Sequence, residues 1–177
     1  MTRSNPPTLP PVLWLTGLSG AGKTTLARAV QQQLRARGEA CEVLDGDEVR
    51  AEFWPELGFS EGDRAANIAR LGALAARFRA QGVTVLVAAI APYRHARQEV
   101  IARLDALEVW VDAPLDVLER RDPKGLYARA RSGELPNFTG VSAPYEPPTA
   151  PALHLQTDQT GIEDCTAQLL RLLDAHT

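Results

Sequence analysis

The octapeptide Gly17-Leu18-Ser19-Gly20-Ala21-Gly22-Lys23-Thr24 restricts this chain more than any other stretch. It fits the P-loop pattern, G-x-x-x-x-G-K-[ST], in full. The apolar run Val12-Leu13-Trp14-Leu15 ahead of it reads as a strand, and helix-like spacing follows from Lys23 to about Arg37, with Gly38 as a stop. In that setting successive backbone amides, backed by the helix dipole, point at phosphate oxygens. Lys23 would neutralise the β- and γ-phosphates of a bound nucleotide, and the Thr24 hydroxyl would hold Mg²⁺.

The rest of the chain alternates in the same way. Cys41 to Leu44 is short and apolar enough for a strand. From Glu61 to Gln81, Ile68, Leu71, Leu74, Ala75 and Phe78 describe one helical face, closed by Gly82 before a strand from Val83 to Ile90. A helix from His95 to Leu104, a strand from Leu107 to Val111, a helix from Pro114 to Arg121, a strand near Leu153 to Gln156 and a helix from Ile162 to Ala175 complete the reading. Alternating strands and helices imply an α/β fold with a parallel sheet covered on both faces, since parallel neighbours need crossover connections. We therefore expect a three-layer P-loop NTPase fold with about five strands and ligands at the strands' carboxyl ends. Gly133 to Pro151 has little periodicity and is long for a connection, so it reads as a lid or binding loop.

With 177 residues and 45% hydrophobic content, one domain with a real core is expected, residues 12–177, after a flexible arm at 1–11 that holds four prolines. The formal net charge is −3 with acids and bases mixed, so no basic face announces nucleic acid and no polybasic tract announces lipid. No apolar run reaches a membrane span and the start lacks a secretion signal, so a cytoplasmic protein is expected. Cys41 and Cys165 read as packing residues, and His95, His154 and His176 show no ligand spacing.

A P-loop alone does not separate a kinase from a switch or a mechanical ATPase. Asn-Lys-x-Asp is absent, which argues against guanine reading. Val109-Trp110-Val111-Asp112 is an apolar strand ending in acid, but Asp112 before a proline reads equally as a strand end or helix cap. More telling is Asp45-Gly46-Asp47, which follows the second strand directly and projects two carboxylates from the sheet's carboxyl edge. One can organise Mg²⁺ and its waters while the other takes the proton of an attacking hydroxyl. Arg50, Phe59, Arg64, Asn67 and Arg70 then mix cations, an aromatic and an amide. Together they suit an anionic, ring-containing acceptor, through arginine forks and aromatic stacking.

The segments GLSGAGKTT, LDGDEVR, LGFSEGDRAANIAR, APYR, VDAPLDVLERRDPKGLYARAR and GELPNFTGVSAPYEPP, from about Val12 to Thr157, resemble the successive signatures of adenylylsulfate (APS) kinases. Members of that family transfer the γ-phosphate of ATP to the 3′-hydroxyl of APS, giving PAPS for sulfate assimilation or transfer. The resemblance implies that Gly17 to Thr25 hold ATP phosphates, with Asp47 as base and Asp45 as magnesium or water organiser, two assignments that remain exchangeable. It places Arg50, Arg64 and Asn67 on APS, Phe59 and Phe138 around its adenine, and Ile90, Ala91, Tyr93 and Leu126 in the same pocket. Lys124 would stand near the transferred phosphate and the sulfate, offsetting charge that builds during transfer. Arg121 would pack against the ATP adenine. The resemblance also brings a homodimer and a functional link to ATP sulfurylase as expectations.

Departures from the family pattern stand out. Ala91 occupies the place of a serine in Ile-Ser-Pro-Tyr, so a phosphorylated serine intermediate is excluded there and direct in-line transfer must suffice. Ala51-Glu52-Phe53-Trp54-Pro55 also differs, and the stretch between Arg94 and Glu108 is short. The competing readings are a P-loop kinase with another acceptor, against which the GFS, DR and N cluster speaks, and a catalytically silent nucleotide-binding regulator, against which Lys23, Thr24, Asp45, Asp47 and Lys124 speak.

Overall fold

Strand side chains alternate between faces, and the central strands of this protein are apolar on both. In the computed structural model, which describes residues 9–177, β1 (Val12–Thr16) is buried along its whole length. Leu13 and Leu15 enter one core layer, while Val12 and Trp14 enter the other. β3 (Thr84–Ala88) does the same, with Leu86 and Ala88 on the first face and Val85 and Val87 on the second. Such two-sided burial requires helices above and below the sheet.

Those helices are supplied between strands. The order is β1, α1 (Lys23–Ala36), β2 (Cys41–Asp45), α2 (Gly46–Phe53), α3 (Glu61–Ala80), β3, α4 (Arg94–Leu104), β4 (Leu107–Asp112), α5 (Leu115–Arg121), α6 (Leu126–Arg131), β5 (Leu153–Gln156) and α7 (Ile162–Asp174). The sheet is five-stranded, ordered β2-β3-β1-β4-β5, and every pairing is parallel. Leu26, Val30 and Leu34 of α1 pack with Leu169 and Leu173 of α7 on one face. Ile68, Leu71 and Ala75 of α3 pack with Val100 and Leu104 of α4 on the other. From β1 the chain moves outward to β2, and after β3 it crosses to the far side of β1, which puts the crevice for a ligand at the carboxyl end of β1.

The expected strand and helix order is present, with differences at the edges. Two short helices were not anticipated. α2 starts one residue after β2 because the Asp45 side chain accepts from the amides of Asp47 and Glu48, capping it in place. α6 follows a loop in which the Asp122 carboxylate accepts from the amides of Tyr127 and Ala128, and these contacts hold its carboxyl below the usual range against the opposing effect of desolvation. β3 ends at Ala88, short of the expected Ile90, because Ala89 to Pro92 leave the sheet for the crevice. Pro114 is the cap residue of α5 rather than part of its first turn. Gly133 to Pro151 contains no named helix or strand, and a turn about Phe138, whose carbonyl accepts from Val141, Ser142 and Ala143, organises its middle.

The expected arm falls mostly on residues 1–8, outside the described residues. From Pro10 onward the chain is tied down, since the Pro10 carbonyl accepts from Arg79 at 2.8 Å and the Pro11 carbonyl from the Val85 amide at 3.3 Å. Among the described residues no helix is long and apolar enough to cross a membrane.

Candidate active site

At the end of β1 the chain must turn sharply beneath β4. A Cβ on Gly17 would lie 2.0 Å from the Val111 carbonyl oxygen, so only glycine fits there. The loop then wraps the Lys23 ammonium, which donates to the carbonyls of Gly17 and Leu18, each at 2.8 Å. Lys23 is buried, and this desolvation lowers its pKa to about 8, with Asp47 and Asp45 opposing the shift. A phosphate beside it would restore the charge. Ser19, Gly20, Gly22, Lys23, Thr24 and Thr25 line a cleft of about 610 Å³, whereas Gly17, Leu18 and Ala21 form the supporting side of the loop.

The opposite lip carries the acids. Asp45 has both oxygens engaged: Oδ1 caps α2 and Oδ2 accepts from the Thr24 hydroxyl at 2.5 Å. Asp47, one residue into α2, is exposed to the cleft, and no donor among the described residues reaches its carboxylate. A hydroxyl and a carboxylate in contact form a hard-oxygen pair that suits Mg²⁺, which takes one or two protein ligands and fills its shell with phosphate oxygens and water. The described residues hold no cluster of His, Cys, Asp and Glu suited to other metals.

Beyond the acids the cleft changes character. Arg50, Phe59, Arg64, Asn67 and Phe138 all line it, as do Ile90, Ala91, Leu126 and Lys124. The Arg50 guanidinium lies 4.0 Å from the Phe59 ring centroid and that of Arg64 lies 5.6 Å away. Arg64 also clamps the lid, donating to Phe59 O at 2.9 Å, Thr139 Oγ1 at 2.9 Å and Asn137 O at 2.7 Å. Burial lowers its pKa from the ordinary arginine value. The Asn67 side-chain oxygen is buried without a hydrogen-bond partner, an unmet acceptor at the cleft wall.

Other expected residues lie elsewhere. Tyr93 sits at the start of α4, beside the cleft residue Pro92, with its ring 6.4 Å from that of His95 and near enough to Arg64 to favour its charged form. Arg70 turns away to Glu56, at 2.5 Å, and to the Trp54 ring. Asp112 faces His154, at 3.1 Å, so it neither caps α5 nor enters the cleft. Arg121 lines a separate pocket of about 330 Å³ behind the phosphate loop, with Gly22, Thr25, Thr157 and Ile162. It donates there to both the hydroxyl and the carbonyl of Thr157.

Residues 9–156 match the adenylylsulphate kinase family. The chain belongs to the adenylylsulfate kinase family. It is 54% identical to an adenylyl-sulfate kinase of Deinococcus deserti over 160 residues, covering 90% of this chain and 88% of that one. It is also 54% identical to an adenylyl-sulfate kinase of Chloroflexus aurantiacus over 164 residues, covering 92% and 88%. Among solved structures it is similar to the Mycobacterium tuberculosis APS kinase in complex with AMPPNP and APS, with a TM-score of 0.90, 42% identity, and coverage of 95% of this chain and 99% of that one. An Acinetobacter baumannii shikimate kinase, 16% identical with a TM-score of 0.58, shares the fold alone.

Sequence reasoning assigned no role to several residues that shape this family member's cleft. Tyr127 reaches under the phosphate loop, Thr139 takes an Arg64 hydrogen bond, and Arg28 lines the cleft while pairing with Glu48 at 2.6 Å. Tyr127 and Thr139 lie within the segments that carry the resemblance, yet their partners are remote in sequence and leave no local signal.

Proposed function

We propose that this adenylylsulfate kinase binds ATP on the phosphate loop and APS beside Arg50, Phe59, Arg64 and Asn67, and transfers the γ-phosphate directly to the APS 3′-hydroxyl. The observation that carries the reading is one continuous cleft joining Lys23 and Thr24 to Asp47 and then to the Arg64 and Phe59 wall. The bond from γ-phosphorus to the bridging oxygen breaks as the bond to the 3′-oxygen forms, the hydroxyl proton passes to Asp47, and ADP and PAPS leave. The two carboxylates divide by geometry: Asp45 is committed to Thr24 and the α2 cap, while Asp47 is free to accept a proton. Thr24 and Asp45 would hold Mg²⁺, which when bound supplies positive charge at the phosphates. Lys23 and Lys124 add charge from the protein, and their proximity is felt as repulsion that helps lower the Lys23 pKa. Asn67 offers its unmet oxygen to the adenine amino group, and Arg121 faces the nucleotide base of ATP from the pocket behind the loop.

Residues 12–177 serve as one kinase domain in this reading. In this reading the protein acts in the cytoplasm, and the family resemblance adds a homodimer and a functional link to an ATP sulfurylase as expectations. The test is ADP release from MgATP with APS, run beside AMP, adenosine, gluconate and shikimate, with products identified by mass. Turnover confined to APS supports the assignment; turnover of another acceptor, or none despite binding of both nucleotides, overturns it.

A further inference from the structure

Ala91 lines the acceptor end of the cleft, is buried, and has a φ of 46°, a left-handed backbone that costs alanine energy and persists only where its surroundings fix it. Three successive carbonyls do the fixing. The Ile90 carbonyl accepts from Thr16 Oγ1 at 2.6 Å, the Ala91 carbonyl accepts from Arg97 Nη1, and the Pro92 carbonyl accepts from the Glu146 amide at 2.9 Å. Each tie comes from a different part of the fold: β1, α4 and the far end of the lid segment.

Arg97 is the centre of this arrangement. Its side chain is 0% exposed, its Nε donates to Glu108 on β4 at 2.6 Å, and its Nη2 donates to the Glu146 carbonyl at 2.9 Å. The Glu146 carboxylate returns to the Arg94 amide at 2.7 Å. Tyr145, with its ring 5.9 Å below the Arg97 guanidinium, contacts Thr16 Oγ1 at 3.0 Å. Because Thr16 has one proton and gives it to Ile90, Tyr145 is the donor in that pair. The residue just ahead of that wall packs on the start of the helix that carries the base: a Cβ on Gly46, the residue before Asp47, would lie 3.0 Å from the Ala89 Cβ.

We infer that Arg97, with Tyr145, is a positioning residue for the acceptor, fixing the Ile90–Pro92 wall so that the APS hydroxyl meets Asp47. Arg97 touches neither substrate and acts through the backbone it holds. A guanidinium is required because three partners in three directions match its planar fork, which an ammonium cannot reproduce. The Arg97 side chain therefore sets acceptor affinity and geometry and leaves the ATP side alone.

This inference rests on the APS kinase reading, so wild-type turnover of APS is measured first; a failure there counts against that reading, and only the variants judge this one. The variants are Arg97→Lys, which keeps the charge, and Tyr145→Phe, which removes only the hydroxyl. Steady-state kinetics with each substrate varied, together with thermal unfolding, should show KM for APS raised at least about tenfold in Arg97→Lys, with KM for ATP within about twofold. Tyr145→Phe should move in the same direction by less. An unchanged KM for APS in folded Arg97→Lys, or parallel rises for both substrates, overturns the proposal. If Arg97→Lys does not fold, Tyr145→Phe decides alone, and an unchanged KM for APS in it overturns the proposal equally.

Discussion

The Tyr127 hydroxyl donates to the Ser19 carbonyl at 2.8 Å, while its ring meets Phe138 edge-on with centroids 5.1 Å apart. One side chain thus touches the phosphate loop and the acceptor wall together. Burial pushes its phenol up to about 12, so it remains a donor throughout the working range. Tyr127→Phe keeps the ring contact and leaves the Ser19 carbonyl unpaired, which should cost about 1 kcal/mol in urea unfolding. KM for both substrates should rise together, in contrast to the selective effect expected of Arg97→Lys. A change confined to one substrate would show that the bridge does not operate.

Lys23 gives a pH dependence with a definite sign. Its pKa falls from 10.5 in the unfolded chain to about 8 in the folded protein, so between those values the unfolded chain binds more protons. The cost of burying the charge is fully present below pH 8 and is relieved as pH rises to 10.5. Relative to Lys23→Met, the nucleotide-free protein should gain up to about 3 kcal/mol across that window in denaturant unfolding. Bound phosphate raises the same pKa, so ATP affinity should fall as pH climbs through about 8, with proton uptake visible by calorimetry in buffers of different ionisation enthalpy. Lys23→Met itself should lose transfer activity by a factor of at least about a thousand.

Asp45 and Asp47 should separate by stability. Asp45→Ala removes the α2 cap and should cost about 1 kcal/mol, and part of its activity should return at raised Mg²⁺. Asp47→Ala, at an exposed position, should unfold within about 0.5 kcal/mol of wild type. Its kcat should nevertheless fall by about 10² to 10⁴, without Mg²⁺ rescue. The reverse pattern would exchange the two roles.

Arg64→Ala should raise KM for APS by at least about tenfold, since hydrogen bonds to a charged group are lost along with the clamp on Asn137 and Thr139. KM for ATP should stay within about twofold of wild type in the same assay. Equal losses for both substrates would contradict the division of the cleft.

Strands and long helices were legible in the sequence because their signals are local. Apolar runs mark β1 and β3, and Gly38 and Gly82, with φ of +79° and +80°, close the helices before β2 and β3. α2 was not legible because Asp45, Gly46 and Asp47 favour a turn, and only the Asp45 carboxylate, accepting from two amides, converts it into a helix start. α6 is six residues long and depends on Asp122 in the same way. Strand order rests on pairings between distant segments and has no local trace. At the site, the loop lysine and the two acids were readable from their motifs. Arg97 was not, since nothing in His95-Ala96-Arg97-Gln98 distinguishes an arginine buried against Glu108 and Glu146 from one in water. Arg70 differs in the other direction, having suitable chemistry while its side chain turns to Glu56 and the Trp54 ring instead of the cleft.

Tyr127 fastens one end of the lid and Tyr145 the other, so whatever opens and closes must fit on the arc between them. Along that arc the number of residues matters as much as their identity. One residue inserted between Gly140 and Ala143 would break the turn in which the Gly140 amide donates to the Ala143 carbonyl at 2.8 Å. At Gly133 the backbone is left-handed, with φ of +82°, and its amide donates to the Ala130 carbonyl at 3.2 Å, so that corner of the arc keeps its glycine. Descendants of this chain are therefore bound to keep both the corner at Gly133 and the count of residues from Phe138 to Ala143.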